Sequence, residues 1–146
     1  MKKLLISIFL ILFPLKSFAL IEVDITRGNL NPLPIAVSPL SIDENSRKNF
    51  EKILKKKNIG SEISKVVENN LKTSGLFNPL NKDAFLQAPD IANLKPRFED
   101  WNLIKAQALI TGKVSYIEEK LRVEFRLWDV LAGKEMLALA FSPVNL

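Results

Sequence analysis

The chain has 146 residues and a mass of 16.5 kDa, with 47% apolar and 25% charged residues, which suits one globular domain with a short appendage. It contains neither Cys nor His, which excludes disulfide frameworks, Cys/His zinc sites, thiol nucleophiles and every Ser-His or Cys-His dyad. The formal charge of +5 comes from 21 Lys and Arg against 16 Asp and Glu, but without Lys2, Lys3 and Lys16 the balance is 18 against 16, so no general nucleic-acid signature is left.

Those three lysines belong to residues 1–19, which have the organisation of a secretory signal. Lys2 and Lys3 form a positive start, Leu4 to Leu15 a short apolar run, and Ser17-Phe18-Ala19 a small-x-small site, predicting cleavage between Ala19 and Leu20. A membrane anchor is the alternative reading. A spanning helix needs about 20 apolar residues, however, and here Pro14 and Lys16 interrupt the run. The expected product, residues 20–146, is soluble in an extracytoplasmic space, with no lipid attachment at Cys and no stable membrane insertion after cleavage.

After the cut, Ile21, Val23 and Ile25 alternate with Glu22 and Asp24, the period-two pattern of a half-buried strand. Residues 26–32 read as a turn-rich tether, so the strand either opens the domain's own sheet or docks on a partner's. Pro34 to Leu40 predicts a buried strand that stops at Pro39. Residues 41–60 are polar and lysine-rich, and Lys55-Lys56-Lys57 reads as a solvated face or loop, with phosphate or anionic-lipid binding as the alternative. A helix follows, capped at Gly60-Ser61, packed through Ile63, Val66, Val67 and Leu71, and closed at Gly75. Its wet face carries Glu62, Lys65, Glu68 and Lys72, with Glu68 and Lys72 spaced for an ion pair. Leu76 to Leu80 reads as a turn with apolar anchors.

Residues 93–105 predict a loop entering a short helix capped near Glu99 or Asp100, with Trp101 and Ile104 packed. The pattern then changes to strands. Ala108 to Tyr116 is the first, with Gly112 marking a bulge or a close backbone approach. Glu118-Glu119 forms a hairpin turn, and Leu121, Val123, Phe125 and Leu127 alternate with Lys120, Arg122, Glu124 and Arg126 until the pattern slips at Trp128. After a turn at Ala132 to Lys134, Met136 to Phe141 is a last strand, apolar on both faces. Such a strand needs cover on both sides, so covering structure is expected to be missing at the C-terminal end. The fold class that results is α/β, a small mixed sheet whose C-terminal three-strand meander packs on helices.

In order, these segments resemble the periplasmic TolB proteins of the Tol-Pal envelope system. The resemblance rests on the signal, Glu22 to Ile25, Pro34 to Pro39, Leu71 to Leu80, Pro96 to Trp101, Ala106 to Val114 and Leu121 to Val130. It implies an N-terminal α/β domain at residues 33–146, preceded by a partner-binding strand and tether at 20–32. It further implies binding without catalysis, with no cofactor or metal. The implied partner is a TolA-like inner-membrane protein, contacted through Ile21, Glu22, Val23, Asp24 and Ile25. Main-chain hydrogen bonds would supply affinity and the alternating side chains register.

In that family a six-bladed propeller carries most of the surface for the lipoprotein Pal, and the two membranes are linked for envelope integrity and constriction at cell division. Here the closing helix and the propeller, about 240 residues at about 40 per blade, are expected to be absent, which puts Pal binding in doubt. The lysine-rich stretch 47–58 is also longer and more basic than the family pattern. A stand-alone secreted binding domain with no Tol-Pal role is the alternative. A hydrolase using Glu99-Asp100 or Glu118-Glu119 is disfavoured because sequence neighbours rarely converge across a cleft.

Overall fold

The structure is a computed structural model that describes residues 31–88, 95–141 and 144–145, the last pair through its backbone. The elements in chain order are β1 (Leu33–Val37), β2 (Ser41–Ile42), α1 (Glu44–Leu54), α2 (Ile59–Thr73), β3 (Phe77–Pro79), a 3-10 turn (Lys82–Ala84), α3 (Phe98–Leu103), β4 (Ala108–Ile117), β5 (Lys120–Asp129), β6 (Lys134–Ala140) and β7 (Val144–Asn145). The sheet order is β3-β1-β4-β5-β6, with β1 parallel to both β3 and β4, and β4, β5 and β6 running as an antiparallel meander. It is the mixed α/β architecture expected from the sequence.

β1 is nearly continuous in apolarity because it lies inside the sheet, with Ile35, Ala36 and Val37 buried between neighbours on both sides. Pro39 interrupts the line, and β2 resumes it against Lys113 and Val114 of β4. The segment Leu76 to Leu80 is more than a turn. Phe77–Pro79 pairs in parallel with Leu33–Ile35 as a three-residue edge strand, too short to show an alternation pattern.

The lysine-rich stretch contains a helix, α1, that its composition obscures. Asp43 caps it, the carboxylate accepting from Ser46 N at 2.9 Å and Ser46 Oγ at 2.8 Å. The inward stripe is Ser46, Phe50 and Leu54, and with a serine in the first place the hydrophobic period is weak. Ser46 is nonetheless buried, and its Oγ also accepts from Tyr116 N at 2.8 Å, tying α1 to β4.

α2 begins earlier than its sequence suggests. Asn58 is the N-cap position, and Gly60 is in the first turn, pressed so close to Leu40 that an added Cβ would lie 2.2 Å from the Leu40 carbonyl oxygen. Its packed stripe uses Ile59, Gly60 and Ser64 with Ile63 and Val67 partly buried, while Val66 points outward at 59% exposure. Glu68 pairs with Lys82 at 2.7 Å instead of Lys72. The expected close does occur at Gly75, where φ is +72°.

α3 starts at Phe98 after Arg97, which supplies no side-chain cap. Asp100, within the first turn, instead accepts from Arg97 Nη2 at 2.7 Å and Gln87 Nε2 at 3.0 Å. These bonds, Gln87 first and Arg97 next, hold the Asp100 carboxyl below the usual carboxylate range. Trp101, 1% exposed, is the centre of one core cluster with Ala36, Leu109, Trp128 and Val130. On the opposite face of the sheet Leu40, Phe50, Ile59 and Val114 form the second cluster, covered by α1 and α2.

Candidate interaction surface

The alternation in β5 sorts its residues between two environments. Phe125 pairs with Leu139 and Leu127 with Leu137 across β5 and β6, so all four share one face of the meander. With Ile110 of β4 and Phe141 they floor a groove bounded by Val67 of α2 and holding about 200 Å³. The walls are almost wholly aliphatic and aromatic. Phe125 and Phe141 meet edge to face, with centroids 5.9 Å apart.

The opposite face of the same strands is charged. Arg122 donates to Glu124 at 2.8 Å, and Arg126 Nη1 donates to Glu135 at 2.6 Å across the β5-β6 pair. Between Leu127 and Trp128 the register shifts: Leu127 faces Leu137 but Trp128 faces Glu135, so Met136 is the additional residue of a bulge. The slip in the sequence alternation at Trp128 marks this place.

All seven residues of β6 are exposed, with Met136 at 41%, Leu137 and Leu139 at 47% and Phe141 beyond them at 54%. Among the described residues β6 is therefore apolar and uncovered, as its sequence leads one to expect, but it is not the last strand, because β7 follows it and pairs with β5. It is also, among the described residues, an edge strand, so one row of its backbone donors and acceptors faces away from the sheet. An edge that is both apolar and unpaired is chemically suited to pairing or packing with further polypeptide.

The candidate partner-binding residues Ile21, Glu22, Val23, Asp24 and Ile25, and the cleavage pair Ala19 and Leu20, lie outside the described residues. Glu118 and Glu119 occupy the exposed β4-β5 turn, at φ of +50° and +62°. Asp100 is engaged with Arg97 and Gln87, while Glu99 is exposed. Neither carboxylate pair converges on a cleft. Among the described residues no group of three or more Asp or Glu is placed to hold a metal ion. No helix among them is long and apolar enough to cross a membrane. Sequence reasoning missed the buried hydroxyls of Ser46 and Ser64 and the buried amide of Gln87, which hold the surface's supporting elements together. Only Asp43 followed three residues later by Ser46 gives a readable signal, that of a helix cap.

Taken together, these features define a small mixed-sheet α/β domain that presents an open strand edge and an apolar shelf. The chain belongs to the family of TolB amino-terminal domains, whose match covers residues 21–136. Over 137 residues it is 77% identical to the Tol-Pal system protein TolB of Pelagibacter ubique (strain HTCC1062), covering 94% of this chain and 31% of that protein. The chain thus spans about a third of the length of that curated relative.

Among solved structures, TolB from Acinetobacter baumannii superposes with a TM-score of 0.54 at 20% identity, over 76% of this chain and 23% of that one. The LpoB C-terminal domain from Escherichia coli gives 0.55 at 14% identity, over 83% of this chain and 88% of that one. These two likenesses show the fold alone.

Proposed function

We propose that this chain is a periplasmic component of a Tol-Pal system that acts by binding and not by catalysis. The observation that carries the reading is the 77% identity to a Tol-Pal system protein TolB along 94% of the chain. The family match starts at residue 21, so Ile21 to Ile25 belong to the matched region. This supports their assignment as the strand that engages a TolA-like inner-membrane protein. Residues 26–32, at no more than about 3.6 Å each, allow that strand up to about 25 Å of reach from β1. Signal cleavage after Ala19 frees the segment. In this reading the domain's part is to help link the inner and outer membranes for envelope integrity and constriction.

The experiment is capture by the periplasmic part of a TolA-like protein, comparing the whole exported chain with a form lacking residues 21–25. The deletion is expected to abolish retention while leaving the circular dichroism of the domain unchanged. Equal retention of both forms would remove the role given to Ile21 to Ile25. Retention of neither form, together with an absence of any Tol-Pal partner in cross-linking, would favour a stand-alone secreted binding domain.

A further inference from the structure

The charge of the molecule is unevenly placed. Residues 44–57 carry six Lys and Arg against two Glu, whereas the rest of 20–146 carries 12 against 14. The fold gathers this excess at one corner. Arg47, Lys48, Lys52, Lys55, Lys56 and Lys57 are all exposed. Lys55 ends α1 in the left-handed conformation, with φ of +53°, and turns the chain back so that Lys57 and Arg47 line the same surface recess with Asn58 and Ser61. Lys48 and Lys52 lie one turn apart on the outward side of α1. Two of the six have a carboxylate partner among the described residues, Lys48 with Glu44 at 3.6 Å and Lys56 with Glu62. Ile53 lies among them at 45% exposure, an apolar side chain in the middle of the cations.

We propose that this corner, α1 with the loop Lys55 to Lys57, is a contact surface for anionic phospholipid headgroups. Five of the six cations are lysines, compact charges on flexible stems that suit a diffuse anionic plane better than a fixed carboxylate or phosphate geometry. Ile53 supplies the apolar contact that a membrane interface accepts and that an acidic peptide does not need. Nucleic acid is disfavoured because Phe50, the one aromatic in the segment, is 1% exposed and offers no stacking platform. The surface is separate from the apolar shelf on β5 and β6.

The test uses the product recovered from the periplasm of cells expressing the whole chain. It is floated with vesicles of phosphatidylglycerol and phosphatidylcholine, and with vesicles of phosphatidylcholine alone. Binding is expected to the anionic vesicles and to fall steeply with salt. The combined K55Q, K56Q and K57Q variant is expected to weaken it by about tenfold or more. Ile53→Ser is expected to weaken it further at salt concentrations that screen the charges. All four positions are exposed, and unchanged circular dichroism verifies that the variants fold. Equal affinity of the triple variant, or equal binding to neutral vesicles, overturns the proposal. So does tighter binding to polyglutamate or duplex DNA than to the anionic vesicles, which would assign the corner to a macromolecular polyanion.

Discussion

The hydroxyl of Ser64, in the middle of α2, accepts the backbone N–H of Leu40 at 3.0 Å, across 24 residues of sequence. Its own proton lies within reach of the carbonyls of Gly60 at 2.8 Å and Ser38 at 3.0 Å. Leu40 leaves the sheet just after Pro39, where strand pairing lapses, and a buried helix serine replaces the lost ladder partner. Ser64→Ala keeps the volume nearly unchanged but leaves these groups under-satisfied. The expected loss is about 1–3 kcal/mol in urea unfolding, with an unchanged m-value. The Leu40 N–H also reaches the Gly60 carbonyl at 3.4 Å, so wild-type stability in this variant would mean that this longer bond suffices for the Leu40 amide.

Gly112 tests the other close approach. A Cβ there would lie 2.3 Å from the Glu124 carbonyl oxygen and 2.6 Å from Leu40 Cδ2. The leucine tip can rotate away, but the β5 backbone cannot move without breaking the β4-β5 ladder, which runs without a register shift through this point. Gly112→Ala is expected to lower stability by about 1–3 kcal/mol, measured by thermal or denaturant unfolding. A neutral result would show that β5 shifts freely at Glu124.

Trp128 and Thr111 form a third testable pair, the indole Nε1 donating to Thr111 Oγ1 at 2.9 Å with both residues buried. Thr111→Val preserves shape and removes the acceptor, so about 1–3 kcal/mol of stability should be lost. Thr111→Ser keeps the acceptor and should recover part of it. If Ser is as damaging as Val, packing of the threonine methyl contributes as much as the hydrogen bond, and if Val is neutral the bond contributes nothing.

These contacts show what the sequence made legible. The hairpin at Glu118-Glu119, the strands on either side of it, the close approach at Gly112 and the apolar β6 all follow from period-two alternation and glycine placement, which are local signals. The α1 helix and the β3 strand do not. The inward stripe of α1 opens on Ser46, whose burial is justified only by Asp43 and by Tyr116, seventy residues away. β3 exists because Leu33, Pro34 and Ile35 offer it a free edge, and nothing within Phe77–Pro79 encodes that partner. Of the candidate site, the apolar excess of β6 was readable, but the groove was not, because it depends on which side of the sheet α2 occupies.

Asp43 gives the structure an acid-sensitive cap. The Ser46 backbone N–H and then its hydroxyl donate to the carboxylate and hold it below the usual carboxylate range. A group whose folded pKa is depressed contributes stability that is full above its unfolded value, about 3.9, and is lost as pH falls through the folded value. Because Asp43 is exposed, solvent screens the charge, and the pH-dependent part is about a few tenths of a kcal/mol. Asp43→Asn retains capping and should flatten this part of the acid limb. Asp43→Ala should cost about 1 kcal/mol near neutral pH. Parallel acid limbs for wild type and the Asn variant would show that the carboxylate charge contributes nothing.

The shelf on β5 and β6 separates surface role from stability. Leu137 and Leu139 are each 47% exposed, whereas Leu109 in β4 is fully buried. Leu139→Lys removes apolar surface that is already half in water, and lysine's stem can still lie along Phe125 with its ammonium in solvent. Its stability is therefore expected to change by less than about 1 kcal/mol, while binding of a dye that reports exposed apolar surface should fall. Leu109→Lys, in contrast, buries a cation among Trp101 and Trp128 and should abolish cooperative unfolding. If Leu139→Lys instead unfolds the protein, the groove is closed in solution and its residues are core, not surface.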